Sequence, residues 1–333
     1  MTHEALRLHT AFCDDHHIVP LRISGERCRA AIERITPIHL FLSDGQIRPT
    51  LLLDESANIR AELHVARQDD EYLLLAEGVD GPALAECLPD TTIEPLYETH
   101  ALMSVHGPYA WELVAEVVGA DVMSMPYLSV LRDGEVVAFR IGKTGEYGYH
   151  LLVKRERADA LRDRIREAGA RYSLATIDLA TLDDAAIESG FFVMRREGRS
   201  DLDLIELQQQ WRVSYDKQHF AATALARKRA TGPRRRTTTV LSACEIAPGD
   251  PVTLDGEPIG RVLSAMRSPW LDRWVALTVL ERRYAHAGVR QYRARDGALE
   301  TVSPPLLSNR SLFVKAQRHS YQTRADDDFP VIA

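Results

Sequence analysis

Polar and apolar residues alternate with period two along Ile59-Arg60-Ala61-Glu62-Leu63-His64-Val65-Ala66, the pattern of a half-buried strand. Thr50–Leu53 alternates too, and the turn-like Asp54-Glu55-Ser56-Ala57-Asn58 between them predicts a hairpin that Tyr72–Ala76 extends. Upstream, Ile18–Ile23 reads as a strand, and Ser24-Gly25-Glu26 opens a short helical run to Ile35. A helix over Pro108–Val118 follows from Trp111, Leu113, Val114 and Val117 at helical spacing. Tyr127–Val130 and Val136–Arg140 form a second predicted hairpin around Asp133-Gly134. After a strand at Tyr149–Val153, the helix Glu156–Ala168 carries one apolar stripe (Leu161, Ile165, Ala168) and stops at Gly169. Another helical stretch runs to Glu188. From Thr237 the pattern changes to short strands punctuated by Gly-Asp-Pro, Asp-Gly and Ser-Pro turns, as in a small β-barrel. Beyond Arg318 the chain is mostly polar and reads as a loosely held tail.

Composition narrows the function classes. The 333 residues include 41 Lys+Arg and 48 Asp+Glu, a formal charge of −7, which gives no prior for nucleic-acid binding. The basic run from Arg227 to Arg236 lacks interleaved aromatics and reads as a solvated helix end plus a linker. No apolar run is long enough to span a bilayer, and the first residues have neither a basic nor an apolar targeting region. Cys13, Cys28, Cys87 and Cys244 show no C-x-x-C spacing. These features predict a cytoplasmic protein without a metal site or disulfide framework, and with no membrane partner.

Candidate chemistry is sparse. Gly142-Lys143-Thr144 lacks the earlier glycine of a phosphate loop, since Val137 stands there, and reads as a glycine-rich turn between strands. On the Ile59–Ala66 strand, Arg60, Glu62 and His64 share the polar face. That face is either the wall of a polar pocket or the solvent side of a sheet. His16 and His17 lack metal-ligand spacing and read as surface residues.

Three groups of residues, in order and at matching spacing, resemble the folate-binding aminomethyltransferase family. Arg140-Ile141-Gly142-Lys143-Thr144-Gly145-Glu146-Tyr147-Gly148-Tyr149-His150 is similar to the family's R-T-G-Y-T-G-E-D-G-F-E. Glu188-Ser189-Gly190, Glu206, Trp211 and Asp216-Lys217 to Phe220 follow its E-A-G…E…W…D-K-x-x-F stretch. Gly232-Pro233, Gly249-Asp250-Pro251-Val252, Ile259-Gly260 and Ser268-Pro269 follow the family's C-terminal barrel.

The resemblance implies an α+β fold, a cloverleaf of mixed α/β lobes around a central channel, with a C-terminal antiparallel β-barrel. It implies an interleaved lobe region over 1–232, a barrel over 233–317 and a flexible tail over 318–333. It further implies a methyl or aminomethyl transferase, or a demethylase, that uses tetrahydrofolate and a small-molecule one-carbon donor, with a homo-oligomer as one assembly. The family's G-G-I-x-D-D aligns with residues 57–62, so its catalytic aspartate falls on Glu62. Arg60, His64, Lys143, Glu146 and His150 are then the expected ligand-binding residues. Lys143 stands where an aromatic residue packs beside the pterin, and His150 where a carboxylate pairs with the pterin's amidine edge. Ala76 and Pro49 stand near the usual asparagine and tyrosine. Two other readings therefore stay open: an enzyme repurposed for a non-folate ligand, and a non-catalytic accessory protein on the same fold.

Overall fold

A computed structural model describes residues Thr2–Ile332. Two sheets, each backed by helices, face one another. In the five-stranded sheet the order is Ile47–Leu53, Ile59–Gln68, Glu71–Glu77, Ile18–Ser24, Thr92–Glu94, all neighbours antiparallel. Its outer face (Leu21, Ala61, Leu63, Val65, Leu74) packs on the helices Cys28–Ile35 and Gly81–Glu86 through Ile32, Ile35 and Leu84. In the six-stranded sheet the order is Ala175–Thr176, Ala11–Asp14, His100–His106, Gly148–Lys154, Val136–Arg140, Ser129–Asp133. The helices Ala110–Val117 and Arg155–Gly169 cover its outer face, where Trp111, Leu113, Leu161 and Ile165 meet Met103, Val105, Tyr149 and Leu151.

The inner faces of the two sheets therefore meet, and their layer is apolar at one end. Leu73, Leu75, Leu102, Val137, Phe139 and Leu152 fill it there. A bridge between Gln46 and Ser129 stitches the sheets together at this end. At the other end the inner faces carry charge, and a cavity opens. A further helix, Leu179–Ser189, leads from the six-stranded sheet toward the barrel; Asp178 caps its start and Gly190, at φ +77°, ends it.

Residues from Arg235 to Val302 close a six-stranded barrel in the order Arg235–Ser242, Arg273–Glu281, Glu257–Ser268, Pro251–Leu254, Tyr292–Ala294, Gly297–Val302. Val240, Val252, Val262, Ala276, Leu280 and Leu299 alternate inward to fill it. This is the α+β architecture with a C-terminal barrel that the sequence implies.

Two expectations need correction. The segment after Arg318 is anchored rather than loose. Tyr321 is buried against Tyr109 and Tyr172, its hydroxyl lies 3.0 Å from His9 Nδ1, and Ile332 is buried near the end of the described chain. Two apolar anchors in a polar stretch are too sparse to register as a pattern. The strand His100–His106, central to its sheet, has no counterpart among the predicted elements. With both faces covered, its residues do not alternate, so it carries no period-two signal.

Arg7, on the first helix (Thr2–Leu8), ties these parts together although it is fully buried. Its guanidinium donates to Glu188 Oε2 at 2.7 Å, to Asn309 Oδ1 at 2.9 Å and to the carbonyl of Thr144. Glu188 in turn accepts from Ser268 Oγ of the barrel at 2.6 Å. Removing one member of such a pair strands a buried charge. Arg7→Met is therefore expected to cost about 3–5 kcal/mol of unfolding free energy, read as a lowered urea midpoint at unchanged m-value; a loss below about 1 kcal/mol would show the hub to be dispensable.

Candidate functional site

The charged end of the inter-sheet layer is built by alternation. On Ile59–Gln68, Ala61 and Leu63 point to the core, so Glu62 and His64 point inward to the cavity. The facing positions of the neighbouring strand are Glu77 opposite Glu62 and Leu75 opposite His64. From the other sheet, Ser104 and His106 alternate with Met103 and Val105, and His150 pairs with Ser104. The turn that carries Gly142, Lys143 and Thr144 forms a third wall, and Asp183 and Arg195 close the cavity from the helix Leu179–Ser189 and the segment after it. A side chain at position 148 would meet the Ile141 carbonyl at 2.5 Å and His106 Nδ1 at 3.0 Å, so only glycine lets this turn approach the strand.

Glu62 is 2 % exposed and doubly paired: Oε1 accepts from Arg212 Nη1 at 2.6 Å and Oε2 from Lys143 Nζ. Burial alone would raise its pKa. The two cations outweigh that and hold the carboxyl down at about 2. Lys143 Nζ also reaches Glu77 Oε2 at 3.2 Å, and these carboxylates raise its pKa against the effect of burial. Glu77 is bound on its other oxygen by Arg195 at 2.6 Å, and Arg195 continues to Asp183.

On the opposite wall a second buried carboxylate, Asp15, accepts from Ser104 Oγ at 3.1 Å and pairs with His150 Nδ1 at 2.8 Å. Burial opposes ionisation of Asp15, but His150 more than offsets it and the pKa is lowered. The chain continues from Ser104 Oγ to His106 Nε2 at 2.9 Å. Three imidazoles of the cavity are pushed neutral by burial, which outweighs the neighbouring carboxylates: His64 to about 3, His106 to about 3 and His17 to about 4. Among the described residues no cluster of three or more His, Cys, Asp or Glu is placed to hold a metal. No described helix is long and apolar enough to cross a membrane.

The structure brings Glu62, His64, Lys143 and His150 to one cavity and sends Arg60 and Glu146 elsewhere. Strict alternation would place Arg60 beside Glu62. The hairpin instead contains a bulge: Leu52 pairs with Ala61 and Leu53 with Ile59, which leaves Arg60 as the extra residue. Ala57 in the preceding turn adopts φ +58°, and Arg60 emerges exposed on the outer surface. Glu146 is buried, but it accepts from the backbone N–H of Arg310 (3.0 Å) and of Ser311 (2.7 Å) and from Ser311 Oγ (2.6 Å). It clamps the C-terminal segment, and burial raises its pKa.

The sequence reading missed Asp15, Glu77, Ser104, His106, Asp183, Arg195 and Arg212, and it took His17 for a surface residue. His17 is a cavity residue rather than a surface one. Glu77 did carry a signal, a lone carboxylate closing the apolar run Tyr72–Ala76. Arg212 sits beside the motif residue Trp211, and its guanidinium stacks 4.7 Å from that ring and 5.5 Å from Phe192.

Comparison with known proteins places this geometry. The GCVT N-terminal domain is recognised over residues 1–217, and the glycine cleavage T-protein C-terminal barrel domain over 234–306. The chain belongs to the glycine cleavage T-protein family. Aminomethyltransferases of Frankia alni and Chlorobium chlorochromatii are each 26 % identical to it, over 320 and 330 residues. These alignments cover 92 % and 93 % of this chain and 88 % and 90 % of the relatives. The glycine cleavage system aminomethyltransferase T of Bartonella henselae superposes with a TM-score of 0.82 at 21 % identity, covering 92 % of this chain and 89 % of its own, which establishes the fold. Membership in the T-protein family supports a folate-dependent, aminomethyltransferase-like one-carbon function.

The neutral imidazoles give the T-protein-like cavity a pH signature. Where the unfolded chain binds a proton at each of them (ordinary pKa 6.5) and the folded chain does not, stability rises with pH. Their contribution is full above about pH 6.5 and is lost as pH falls toward 4, with a slope of about 1.4 kcal/mol per pH unit per histidine. Glu62 adds a lower window, from its ordinary 4.5 down to about 2. Urea midpoints measured between pH 7 and 4 should fall steadily, and His106→Gln should flatten that slope by one proton whatever it does to the level.

Proposed function

We propose that the protein is a one-carbon transferase that works in the central cavity and passes a methyl or aminomethyl unit to tetrahydrofolate. The reading is carried by Glu62, a buried carboxylate kept ionised by two cations, standing where the family resemblance aligns its catalytic aspartate. The donor set fits a polar heterocycle. His17 and His106 each keep a buried Nδ1 without a partner, while Ile18, Leu75 and Ile141 offer apolar contact. When bound, tetrahydrofolate supplies the nucleophilic nitrogen that receives the carbon.

The chain's own residues do the rest. Glu62 is a fixed negative charge beside a donor carbon that becomes electron-poor as its bond breaks, which lowers the barrier without reorganisation. His150, with Nδ1 held by Asp15, keeps Nε2 for the ligand and moves the proton there, the buried carboxylate stabilising the imidazolium that forms. Lys143 is the adjustable part. It is half-buried, spans Glu62 and Glu77, and leaves a free volume of only about 70 Å³, enough for a few waters. Ligand entry turns its amine toward solvent.

A second reading keeps the cavity and changes the ligand. It is favoured by the full use of the carboxylates: both oxygens of Glu62, Glu77 and Asp15 are already bonded by side chains. A pterin's amidine edge then finds no free acceptor of the family's kind.

Calorimetric titration with tetrahydrofolate separates the two. The transferase reading expects micromolar binding by the unaltered protein, and binding at least about tenfold tighter (~1.4 kcal/mol) by Lys143→Met, which frees Glu62 and opens the cavity. No heat from either protein would leave the second reading standing. With the donor in hand, His150→Gln should lower kcat by about 10²–10⁴-fold with little change in KM.

A further inference from the structure

A second cavity, of about 380 Å³, lies between the barrel and the segment after Gly190 and shares no lining residue with the central cavity. Its walls include Phe191, Phe192, Glu197, Gln209, Trp211 and Arg236. Three of these carry polar atoms that are buried and unmatched. Glu197, 4 % exposed, uses Oε1 to accept from the Val193 N–H at 2.6 Å, but its Oε2 has no partner. Gln209 donates from Nε2 to the Leu207 carbonyl at 3.0 Å, and its Oε1 has none. Arg236 Nε is likewise unpaired, while its neighbour Arg235 is fully engaged by Asp201 and Glu206. Buried polar atoms normally find partners, so three orphans on one cavity point to something that completes them.

The arrangement constrains that molecule. No ion pair joins Glu197 to Arg236 among the described residues, so the acidic and basic ends face the same space without neutralising each other. A single ion satisfies one end and leaves the other unpaired. A molecule with N–H donors at one end and a carboxylate at the other satisfies both. Phe191, Phe192 and the largely exposed Trp211, at 60 %, add aromatic wall, and an ammonium gains from such faces. Burial also holds the Glu197 carboxyl up at about 7 against backbone N–H donors and the weaker pull of Lys143 and Arg196, so these groups do not compensate its burial. We propose that this cavity binds a small zwitterion of the α-amino acid type, its ammonium on Glu197 and Gln209, its carboxylate on Arg236 and its side chain against the aromatic wall. The inference stands independently of the chemistry in the central cavity.

The test is calorimetry on the full chain with L-alanine and L-phenylalanine, compared with the halves propionate and ethylamine. At least one amino acid should bind with a Kd below about 1 mM, and each half should bind at least tenfold more weakly. Glu197→Gln and Arg236→Gln should each weaken amino-acid binding tenfold or more. The proposal is overturned if neither amino acid binds up to 10 mM, or if a half binds as well as the whole. It is equally overturned if Glu62→Gln abolishes binding that Glu197→Gln spares, since the ligand then belongs to the central cavity. The comparison of wholes with halves needs no variant, so a substitution that fails to fold cannot shield the idea.

Discussion

Everything near the central cavity depends on a charge that water never reaches. The guanidinium of Arg7 sits among the first helix, the Thr144 turn, the end of the helix Leu179–Ser189 and the segment around Asn309. A buried arginine needs partners for its donors, and here the acceptors of the two terminal nitrogens come from three separate stretches of chain. The pairing therefore acts as a geometric lock: the barrel reaches it through Ser268 and Glu188, and the glycine-rich turn through a backbone carbonyl. With the turn fixed, Lys143 can span Glu62 and Glu77 from one particular direction.

The same economy of charge shapes the cavity. Lys143, Arg195 and Arg212 are shared among Glu62, Glu77 and Asp183, and the two cations on Glu62 keep it ionised at the neutral pH at which His17, His64 and His106 stay uncharged. Neutral imidazoles offer both a donor and an acceptor, whereas protonated ones offer donors alone. His150 differs from these histidines in being held by a carboxylate, Asp15, on its Nδ1. The site thus has a carboxylate wall paired to lysine and arginine and a wall in which a carboxylate is paired to histidine, on facing sheets.

Much of this was legible in the sequence, for identifiable reasons. Elements with one wet face advertised their period: the Ile59–Ala66 strand, the Glu156–Ala168 helix and the barrel with its turn residues. Glu62 emerged twice, once from strand alternation and once from alignment with the family's motif. Elements buried on both faces, such as His100–His106, left no period to read, and their cavity residues Ser104 and His106 went unseen with them. Arg60 shows the limit of alternation itself, since one bulged residue reverses the sense of everything before it. Of the two partners of Glu62, Lys143 was reached through the family motif, whereas Arg212 was hidden for another cause. Arg212 lies 150 positions away and Lys143 81 positions away, and an ion pair across such separations is a property of the folded chain alone.

The anchoring of the C-terminal segment has a bearing on the order in which the molecule can assemble. Asn309 meets Arg7 across 302 positions, and Tyr321 meets His9 across 312. A chain emerging from its N-terminus must therefore hold the first helix and the glycine-rich turn without their final partners until nearly all of it has been synthesised. Contacts of such long range are slow to form, because loop closure must be completed before they contribute any stability. The last elements made are thus the ones that seal the first, and until then Arg7 lacks its bond to Asn309.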